Sequence, residues 1–385
     1  MKSPKIAIVA NSTWNIYNFR LGLIRELTKV GYRVIVIAPI DEYIHYLGDN
    51  YFIKHIAIKR LSPQSKNPLK DVLLCKELYD IYKKEQPDLI LHYTIKPNIW
   101  GNFAARLANI PTISTLTGLG YTFLHGNFTK YIIRKLYKVA LSKSKRLVFH
   151  NGDDLQLFED FNLIPKGRGE VIPGSGVDTN FFSPFLKSPA KKFIFLFVGR
   201  VLYDKGILEF VEAARQIRQV TKNTEYWVVG QLNAENPTAV SKHQLQVWLE
   251  NKDIRYFGNS NDIRKFLKKA DVFVLPSYRE GMPRAVLEAM ASAKPIITTD
   301  TAGCRDTVVE GENGYLVPVK DSISLAEAML KIYYLDRNEL REMGNASRDL
   351  VLQNFDEKII IDRYLSLIQN ITEMKVAKDK TKINV

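Results

Sequence analysis

The stretch Phe193-Ile-Phe-Leu-Phe-Val-Gly199-Arg200-Val-Leu-Tyr-Asp-Lys205-Gly206 joins an apolar run to a short loop that carries two cations and has a glycine at each end. A short apolar run bounded by turn residues is typical of a strand that is buried on both faces, as strands of parallel sheets are. Comparable runs recur along the chain and alternate with longer segments of helical period. The sequence therefore predicts an α/β protein with parallel sheets wrapped by helices.

Strand candidates are present in both halves of the chain. In the first half they are Lys5–Ala10, Arg33–Ala38, Ile53–Ile58, Asp88–His92, Thr112–Leu116 and Leu147–His150. In the second half they are Phe193–Val198, Glu225–Val229, Ile254–Phe257, Val272–Pro276 and Pro295–Thr299. Helices fit between them, for example at Phe19–Val30, Pro68–Glu85 and Asn98–Leu107. Doubly wound sheets bind ligands at the carboxyl ends of their strands, so we expect the chemistry in the loops that follow the strands.

This pattern divides the chain into two domains and a final helix. A length of 385 residues favours two domains over one compact core. The alternation of strands and helices pauses at Pro173-Gly174-Ser175-Gly176 and in the Ser-, Pro- and Lys-rich stretch from Pro184 to Lys192. We expect two Rossmann-like, doubly wound domains at residues 1–180 and 181–355 that face each other across a cleft. The amphipathic segment 356–373 is expected to form a helix that packs back on the first domain.

The composition is that of a globular protein of a reducing compartment. Apolar residues make up 46% of the sequence, which is too much for a disordered chain. The two cysteines, Cys75 and Cys304, have neither metal-ligand nor CxxC spacing, so neither a disulfide framework nor a zinc site is expected. The first apolar stretch, Ile6–Ala10, ends at Asn11, and we therefore expect no signal peptide and no membrane span there.

The net charge of +14 lies mainly in the first half of the chain. No Asp or Glu occurs between Asp88 and Asp153, and this window contains Lys96, Arg106, Lys130, Arg134, Lys135, Lys138, Lys143, Lys145 and Arg146. Anionic lipid, a phosphorylated acceptor and nucleic acid are the partners that suit such a positive field. Composition alone does not choose among them.

Within this window, Phe128–Leu141 alternates basic residues with aromatic and aliphatic ones. The pattern predicts a basic amphipathic helix that lies on an anionic membrane surface. The alternative is an ordinary domain helix whose apolar face packs on the sheet and whose lysines are solvated. The lack of acids around the segment favours membrane contact. We therefore expect a cytoplasmic protein that is attached peripherally to the inner face of the cytoplasmic membrane.

The most specific motif is Glu280-Gly281-Met282-Pro283 followed by Glu288, shortly after a strand candidate. Proline suits the first turn of a helix, so the motif predicts a helix start at this point. Backbone N–H groups near Gly281 and Met282 would then favour a negative ligand. Two carboxylates would reach one cavity from different depths, Glu280 from the loop and Glu288 from a little over one turn inside the helix. The alternative for Glu288 is a helix residue paired with solvent or with a lysine.

Arg200 and Lys205 are candidates for binding a diphosphate, because a short glycine-flanked loop brings two cations and the backbone close to it. Alone, such side chains are usually solvated, and the acidic motif downstream is what favours function. No Asp-x-Asp pair, which commonly holds the divalent ion of nucleotide-sugar enzymes, occurs in the sequence. We therefore expect cations and a helix end, with no metal and no cofactor, to stabilise a leaving diphosphate. Gly230 and Gly258 are weaker candidates, since glycine after a strand mostly reflects turn geometry.

Together these motifs resemble the retaining glycosyltransferases of family 4, which have the two-Rossmann GT-B fold. The residues that carry the resemblance are Gly199-Arg200 with Lys205-Gly206, Glu280 with Glu288, and Ile172-Pro173-Gly174 running to Val177-Asp178 and Phe182. In the first half, the segments 14–20, 93–98 and 117–120 resemble the branch that extends undecaprenyl-diphosphate-linked sugars for bacterial surface polysaccharides or glycoprotein glycans.

The resemblance implies a role for each site residue. Arg200 and Lys205 would hold the donor diphosphate, Glu280 the transferred sugar and Glu288 the ribose hydroxyls, and the catalytic set would be Glu280, Arg200 and Lys205. The expected donor-binding residues are Gly199, Arg200, Lys205, Gly230, Gly258, Glu280, Gly281, Met282, Pro283 and Glu288. The expected acceptor-binding residues are Asn15, Lys96, Asn98, Thr117 and Gly118. Transfer would retain the anomeric configuration through a same-face displacement without a firm enzymatic nucleophile.

Many members of the family carry a histidine where this chain reads Thr115-Leu116-Thr117-Gly118, so no histidine role is carried over. The expected activity is transfer of an N-acetylhexosamine or related hexose from a nucleotide-diphosphate sugar, taken as UDP-linked, to a polyprenyl-diphosphate-linked saccharide. No nucleic-acid partner is expected. Two other functions stay open: a UDP-N-acetylhexosamine 2-epimerase of the same architecture, and a non-catalytic nucleic-acid binder that uses the positive charge.

Overall fold

The computed structural model describes residues 3–48, 50, 52–61, 67–119, 127–185, 192–232 and 236–383, without the side chains of 127–129 and 374–383. The chain forms two compact units. The first consists of Met1–Ser175 together with Lys358–Val385, and the second consists of Gly176–Glu357. Most of the connector expected from Pro184 to Lys192, and residue 120 of the segment 117–120, lie outside the described residues.

In the part of the chain that is described, the first unit is built on a seven-stranded parallel sheet. Its strands are β1 (Lys5–Val9), β2 (Arg33–Ala38), β3 (Lys54–Ala57), β4 (Leu89–Tyr93), β5 (Thr112–Leu116), β6 (Arg146–Phe149) and β7 (Gly169–Val171). Their order across the sheet is β3-β2-β1-β4-β5-β6-β7. The strand order therefore reverses between β1 and β4, which is the topological switch point of a doubly wound fold.

The sheet of the first unit has a separate hydrophobic core on each face. Ile6 and Ile8 of β1 belong to one core, and Ala7 and Val9 belong to another, because successive strand residues point to opposite faces. The α-helices around it are Thr13–Phe19, Leu21–Lys29, Pro68–Glu85, Asn102–Ala108, Asn127–Leu141, Gly152–Asp160 and Glu357–Ile383. A 3-10 helix lies at Glu42–Leu47 and a π-helical turn at Pro97–Gly101.

Arg20 interrupts the helix that the sequence predicted at Phe19–Val30. The chain forms two helices here, Thr13–Phe19 and Leu21–Lys29, and Arg20 between them has φ −126° and ψ −12°. The Ser12 side chain caps the first helix by accepting a hydrogen bond from a backbone N–H of its first turn at 3.0 Å. A serine cap is a local signal for a helix start, and apolar periodicity alone does not reveal it.

The last helix, Glu357–Ile383, extends beyond the predicted segment 356–373. Ile360, Tyr364 and Ile368 are buried and lie in the same core as residues of β1, β2 and β4. Their spacing of four residues places them on one face of the helix. This helix therefore contributes to the core of the first unit, although it follows the second unit in sequence.

In the part of the chain that is described, the second unit is built on a six-stranded parallel sheet. Its strands are β8 (Phe193–Val198), β9 (Thr224–Val229), β10 (Arg255–Tyr256), β11 (Val272–Leu275), β12 (Ile296–Thr299) and β13 (Gly314–Val317). Their order is β10-β9-β8-β11-β12-β13. The switch point therefore lies between β8 and β11, and the predicted α/β, doubly wound fold is confirmed in both units.

The α-helices of the second unit are Ile207–Arg218, Lys242–Glu250, Arg264–Leu267, Arg284–Ala291, Ser322–Tyr333 and Arg337–Asn354, with 3-10 turns at Tyr203–Lys205 and Arg305–Thr307. Among the described residues, none of the helices of the chain combines the length and the apolar character that crossing a membrane requires.

The second unit begins at Gly176, earlier than the predicted residue 181, because its first residues pair with its last ones. The Val177 N–H donates to the Phe355 carbonyl and the Glu357 N–H donates to the Val177 carbonyl, each at 3.0 Å. The Thr179 hydroxyl donates to the Asp356 carboxylate. These bonds attach residues 176–180 to the second unit, although the composition of the connector assigned them to the first domain.

The edge strands β7 and β13 were not predicted. Each is short, begins with a glycine and is half-buried over at least half of its length, so neither gives the long apolar run that marks a buried strand. In β13 the glycine has a packing reason, since a Cβ at Gly314 would lie 1.8 Å from the Ile296 carbonyl oxygen. Glycine in a strand often marks such a close backbone approach.

Candidate active site

The predicted donor-binding residues follow the two central strands of the second sheet. Residues 199–206 follow β8 and residues 276–283 follow β11, and these two strands are hydrogen-bonded neighbours. Ligands of doubly wound folds bind outside the carboxyl ends of the strands at the point where the strand order reverses. The candidate site therefore lies at the switch point of the second unit.

Lys205 and Glu280 meet at this point. The Lys205 ammonium group donates a hydrogen bond to Glu280 Oε1 and forms an ion pair with it. The side chains are 20% and 13% exposed, respectively, so the pair is largely withdrawn from water but still reachable. The structure thus brings together the cation predicted to bind the diphosphate and the acid predicted to bind the sugar.

Hydrogen bonds from the loop after β11 tie it to the loop after β8. The Asp204 carbonyl accepts a bond from the Tyr278 N–H at 2.9 Å and one from the Ser277 hydroxyl at 3.2 Å. Gly206 closes the first loop with φ +73°, and a Cβ at this position would lie 2.0 Å from the Pro276 carbonyl oxygen. Only glycine fits this close approach, which fixes the position of Lys205 relative to Glu280.

Three of the predicted glycines lie side by side at the carboxyl ends of β8, β9 and β10. The Gly230 N–H donates to the Gly258 carbonyl at 2.8 Å, and a Cβ at Gly230 would lie 1.8 Å from the Gly199 carbonyl oxygen. The lack of side chains here keeps the backbone surface beside the cation loop open, as a ligand that approaches the backbone closely requires.

The helix predicted after Pro283 begins at Arg284, and Pro283 is its N-cap residue. Glu288 lies a little over one turn inside this helix, as predicted, where Arg284 Nε donates to Glu288 Oε1 at 2.9 Å. Burial raises the pKa of the Glu288 carboxyl above its ordinary value, and the Arg284 guanidinium opposes this shift. Its partner is therefore an arginine of its own helix rather than solvent or a lysine.

Arg200 lies in the same loop as Lys205 and is exposed. Among the described residues it has no ion-pair partner. Gly281 and Met282 are half-buried and Pro283 is buried. An exposed guanidinium beside a half-buried ammonium can take up an anionic group without first breaking an ion pair of its own.

Two further residues support the site and were not predicted. Gly303, after β12, has φ +74°, and a Cβ there would lie 2.7 Å from the Glu280 carbonyl oxygen. The Tyr278 hydroxyl donates to Glu209 Oε1 at 2.7 Å, and Glu209 is buried. For Gly303, the only signal in the sequence was a glycine after a strand. For Glu209, the sequence contained no signal, because a glutamate in a helix is not expected to be buried.

The predicted acceptor-binding residues lie in the first unit, at or after the ends of β1, β4 and β5. Asn15 and Asn98 are buried, and the Oδ1 atom of each has no hydrogen-bond partner. The Asn98 Nδ2 group donates to the Thr115 carbonyl at 2.7 Å. Lys96 Nζ donates to Asp71 Oδ1 at 2.7 Å, so an acceptor phosphate at Lys96 would have to compete with this carboxylate.

Thr117 and Gly118 follow β5 in the position where many family members have a histidine, and both are half-buried. The histidines of the first sheet are placed differently. His92 is buried within β4 and bonded to the Tyr82 hydroxyl at 2.9 Å, and burial lowers the pKa of its ring to about 3. His92 is therefore a neutral packing residue.

Among the described residues, no three His, Cys, Asp or Glu side chains are grouped so that they would hold a metal ion.

Two family patterns match the chain. The glycosyl transferase 4-like pattern matches residues 5–151, and the pattern of glycosyl transferases group 1 matches residues 178–350. Between them they match most of the chain.

Curated relatives match nearly the same length. The N,N'-diacetylbacillosaminyl-diphospho-undecaprenol alpha-1,3-N-acetylgalactosaminyltransferase of Campylobacter jejuni is 28% identical over 95% of this chain and 99% of its own. The UDP-Gal:alpha-D-GlcNAc-diphosphoundecaprenol alpha-1,3-galactosyltransferase of Escherichia coli is 29% identical over 78% of this chain and 81% of its own.

Among solved structures, that of the Anabaena protein HepE in complex with UDP and glucose superimposes with a TM-score of 0.78 at 18% identity, over 95% of this chain and 100% of its own. This likeness confirms the GT-B fold. The matched patterns favour a transferase over the epimerase and over the nucleic-acid binder. The chain therefore belongs to the family 4 glycosyltransferases with the GT-B fold.

Proposed function

We propose that this glycosyltransferase moves a sugar from a UDP-linked donor onto a saccharide carried by undecaprenyl diphosphate, in the synthesis of a bacterial surface polysaccharide or glycan. The observation that carries the proposal is the Lys205–Glu280 pair at the switch point of the second unit. The two curated relatives described above act, by their names, on diphosphoundecaprenol-linked acceptors. HepE, which shares the fold, was solved with UDP bound.

On the donor side, the diphosphate binds Arg200 and Lys205. Two cations beside a developing diphosphate charge lower the barrier without a bridging ion, because they are held in place before the bond breaks. The absence of an Asp-x-Asp pair from the sequence supports metal-independent transfer. Glu280, once released from Lys205, accepts hydrogen bonds from hydroxyls of the transferred sugar, and Glu288 accepts them from the ribose.

The transfer retains the anomeric configuration, as the family resemblance implies. The bond between the anomeric carbon and the phosphate oxygen breaks while the acceptor oxygen bonds to the same face of that carbon. The proton of the acceptor hydroxyl passes to the departing phosphate oxygen, so no side chain has to act as a nucleophile. This route fits a site where the predicted catalytic side chains are two cations and an acid already paired with one of them.

On the acceptor side, the first unit binds the lipid-linked saccharide through Asn15, Asn98, Thr117 and Gly118, with Lys96 near the phosphates. The free Oδ1 atoms of Asn15 and Asn98 support this assignment, since buried amide oxygens are rarely left without a donor. The transferred sugar is an N-acetylhexosamine or a related hexose, in line with the names of the two relatives.

The helix Asn127–Leu141 holds the enzyme on the inner face of the cytoplasmic membrane. Tyr137 and Leu141 pack into a core of the first unit, which satisfies the ordinary role of a domain helix. The outer side of the helix nevertheless exposes the apolar side chains of Tyr131, Ile132 and Val139 beside Lys135 and Lys138. Exposed apolar groups mixed with lysines suit the surface of an anionic membrane.

A donor screen with a synthetic short-chain polyprenyl diphosphate sugar tests the proposal. Transfer of one sugar from a UDP-sugar, with the donor's anomeric configuration in the product by NMR and with EDTA present, is the expected result. Conversion of UDP-N-acetylhexosamine without any acceptor would indicate the epimerase instead. Loss of turnover on chelation, restored by a divalent ion, would contradict metal independence.

A further inference from the structure

Buried polar atoms without a hydrogen-bond partner concentrate near the carboxyl ends of the strands of the first sheet. They belong to Asn11, Asn15, Arg20, Tyr93, Thr94, Asn98, His150 and Glu170. These residues lie at the carboxyl end of β1, β4 or β6, in the helices that follow β1 and β4, between the two helices after β1 in the case of Arg20, or in β7. More than about 90% of buried polar groups in folded proteins have a partner, so such a concentration indicates a ligand that supplies the missing bonds.

Arg20 is the most unusual member of this group. It is 3% exposed, its Nε atom has no hydrogen-bond partner, and no acid within the described ranges forms an ion pair with it. Its guanidinium carbon lies 3.8 Å from the centre of the Tyr93 ring. A cation over an aromatic ring gains about 0.5–2 kcal/mol, whereas burial of an unpaired charge costs several kcal/mol. The ring alone therefore does not account for a buried guanidinium.

The position of Arg20 is that of a ligand-binding residue. Arg20 follows β1, and Tyr93 is the last residue of β4. These two strands flank the switch point of the first sheet, where ligands of doubly wound folds bind. This site belongs to the first unit, whereas Lys205 and Glu280 belong to the second.

Two other residues of this group, His150 and Glu170, show what kind of ligand would fit. His150 is buried, and burial, together with the charge of Arg20, lowers the pKa of its ring to about 3. It is therefore a neutral ring with an unpaired nitrogen. Glu170 and Arg20 both act electrostatically on the Tyr364 hydroxyl, yet no ion pair joins them. The free Glu170 oxygen can accept a bond from a hydroxyl, and Arg20 can bind an anion.

We propose that Arg20, together with His150 after β6 and Glu170 of β7, forms a binding site for a glycosyl phosphate in the first unit. Arg20 donates to the phosphate, as planar guanidinium groups do at tetrahedral anions, and Glu170 accepts from a sugar hydroxyl. Both substrates of the proposed function contain this group, so the identification of the substrate rests on that function. The inference that Arg20 binds an anion does not depend on the proposed function.

The binding test uses the full chain with Arg200→Met and Lys205→Met, which removes the two cations proposed to bind the donor diphosphate. The probes are N-acetylglucosamine 1-phosphate, inorganic phosphate and N-acetylglucosamine, titrated by calorimetry. We expect the sugar phosphate to bind more tightly than either part. Adding Arg20→Met should weaken its binding at least about tenfold, and adding Glu170→Gln should weaken the sugar phosphate but not inorganic phosphate.

The matched control is Arg25→Met on the following helix. Arg25 is exposed and its Nε donates to Asn50 Oδ1 at 3.1 Å, so this variant should bind like its parent. Stability gives a second readout. Replacing an unpaired buried charge by an apolar side chain is neutral or stabilising, so the Tm of Arg20→Met without ligand should equal or exceed that of the parent.

Equal binding of the sugar phosphate by Arg20→Met and its parent would overturn the proposal and leave internal water as the partner of these groups. A Tm of Arg20→Met well below that of Arg25→Met would also overturn it, because Arg20 would then be a structural residue. In the chain with Arg200 and Lys205 restored, a raised KM for the lipid-linked acceptor would assign the site to the acceptor. A raised Kd for UDP-sugar, with the acceptor KM unchanged, would assign it to the donor.

Discussion

The Lys205 ammonium group and the Glu280 carboxylate bind each other across 75 positions of sequence, although the proposed function gives them different parts of the donor. When the donor enters, the ammonium group therefore exchanges the carboxylate for the diphosphate, and the carboxylate exchanges the ammonium group for sugar hydroxyls. The pair keeps both charges neutralised at a site that is largely withdrawn from water. It also makes the two side chains interdependent, so their substitutions should differ in a diagnostic way.

Glu280→Gln should lower kcat by about tenfold to a hundredfold without weakening UDP. The amide removes the charge that holds Lys205, which leaves the ammonium free for the diphosphate. Lys205→Met should instead raise the Kd for UDP at least about tenfold. Steady-state rates and calorimetric titration of UDP measure both effects. The exposed Lys269→Met serves as control, and weaker UDP binding by Glu280→Gln would contradict this arrangement.

Gly206→Ala should destabilise the second unit much more than Gly258→Ala. Both glycines have positive φ, +73° and +69°, so both variants incur backbone strain of about 1 kcal/mol. Only the Gly206 variant also places a Cβ 2.0 Å from the Pro276 carbonyl oxygen, whereas Gly258 has open space. Urea unfolding of the two variants isolates the steric part. Equal losses in the free energy of unfolding would mean that the loop of Gly206 does not pack closely against the loop of Pro276.

Glu225 should make stability depend on pH in the acid range. Burial raises the pKa of its carboxyl, but bonds from Lys192, Trp227 and Arg255 outweigh burial and lower the pKa to about 2. A depressed pKa stabilises the fold fully above the ordinary value of 4.5 and loses that contribution as the pH falls towards 2. Denaturant unfolding of Glu225→Gln should therefore show a flatter dependence between these values than the parent protein. An unchanged slope would mean that the carboxylate is not paired.

Glu288→Gln should weaken UDP binding at least about tenfold but leave inorganic diphosphate unaffected, since the proposed partner of Glu288 is the ribose. Burial raises the pKa of Glu288, so ionisation of its carboxyl lowers the free energy of unfolding as the pH rises above 4.5. The variant should therefore be as stable as the parent at neutral pH, or more stable. Titration with the two ligands and Tm at pH 7 decide both points, and equal weakening of both ligands would place Glu288 at the phosphates.

Lys135→Glu with Lys138→Glu should reduce binding to vesicles that contain anionic lipid, because both lysines are exposed on the outer side of their helix. The control is Lys143→Glu with Lys145→Glu, which makes the same change of charge just beyond the helix, at residues that are also exposed. Cosedimentation with vesicles and activity on a soluble short-chain acceptor separate membrane binding from catalysis. Equal loss in both variants would indicate general charge attraction without a docking helix.

The sequence was sufficient to predict most strands of the two sheets and the central residues of the donor site. The buried strands Arg33–Ala38, Thr112–Leu116 and Phe193–Val198 were predicted with their observed bounds, because long apolar runs leave little choice of structure. The edge strands β7 and β13 were missed because each is short and begins with a glycine, so neither contains a long apolar run. In the site, spacing placed Glu280 at the loop and Glu288 inside the helix.

The rest of the site depended on contacts between distant segments. Strand order determines two contacts of the site, the Lys205–Glu280 ion pair and the hydrogen bond from Tyr278 to Glu209. No single segment of the sequence indicates which strands are neighbours. Arg20 shows the same limit more strongly. It was part of a recognised segment, but apolar periodicity assigned it to the inside of a helix, and nothing nearby in sequence indicates a buried cation.

The return of the last helix to the first unit has a consequence for synthesis on the ribosome. Ile360, Tyr364 and Ile368 cover a surface made largely by residues translated long before them. The first unit therefore emerges with an uncovered apolar face and stays incomplete while the whole second unit is made. A truncation before residue 358 should thus impair the solubility of the part of the protein that it leaves untouched, and chaperone demand should be greatest just before translation ends.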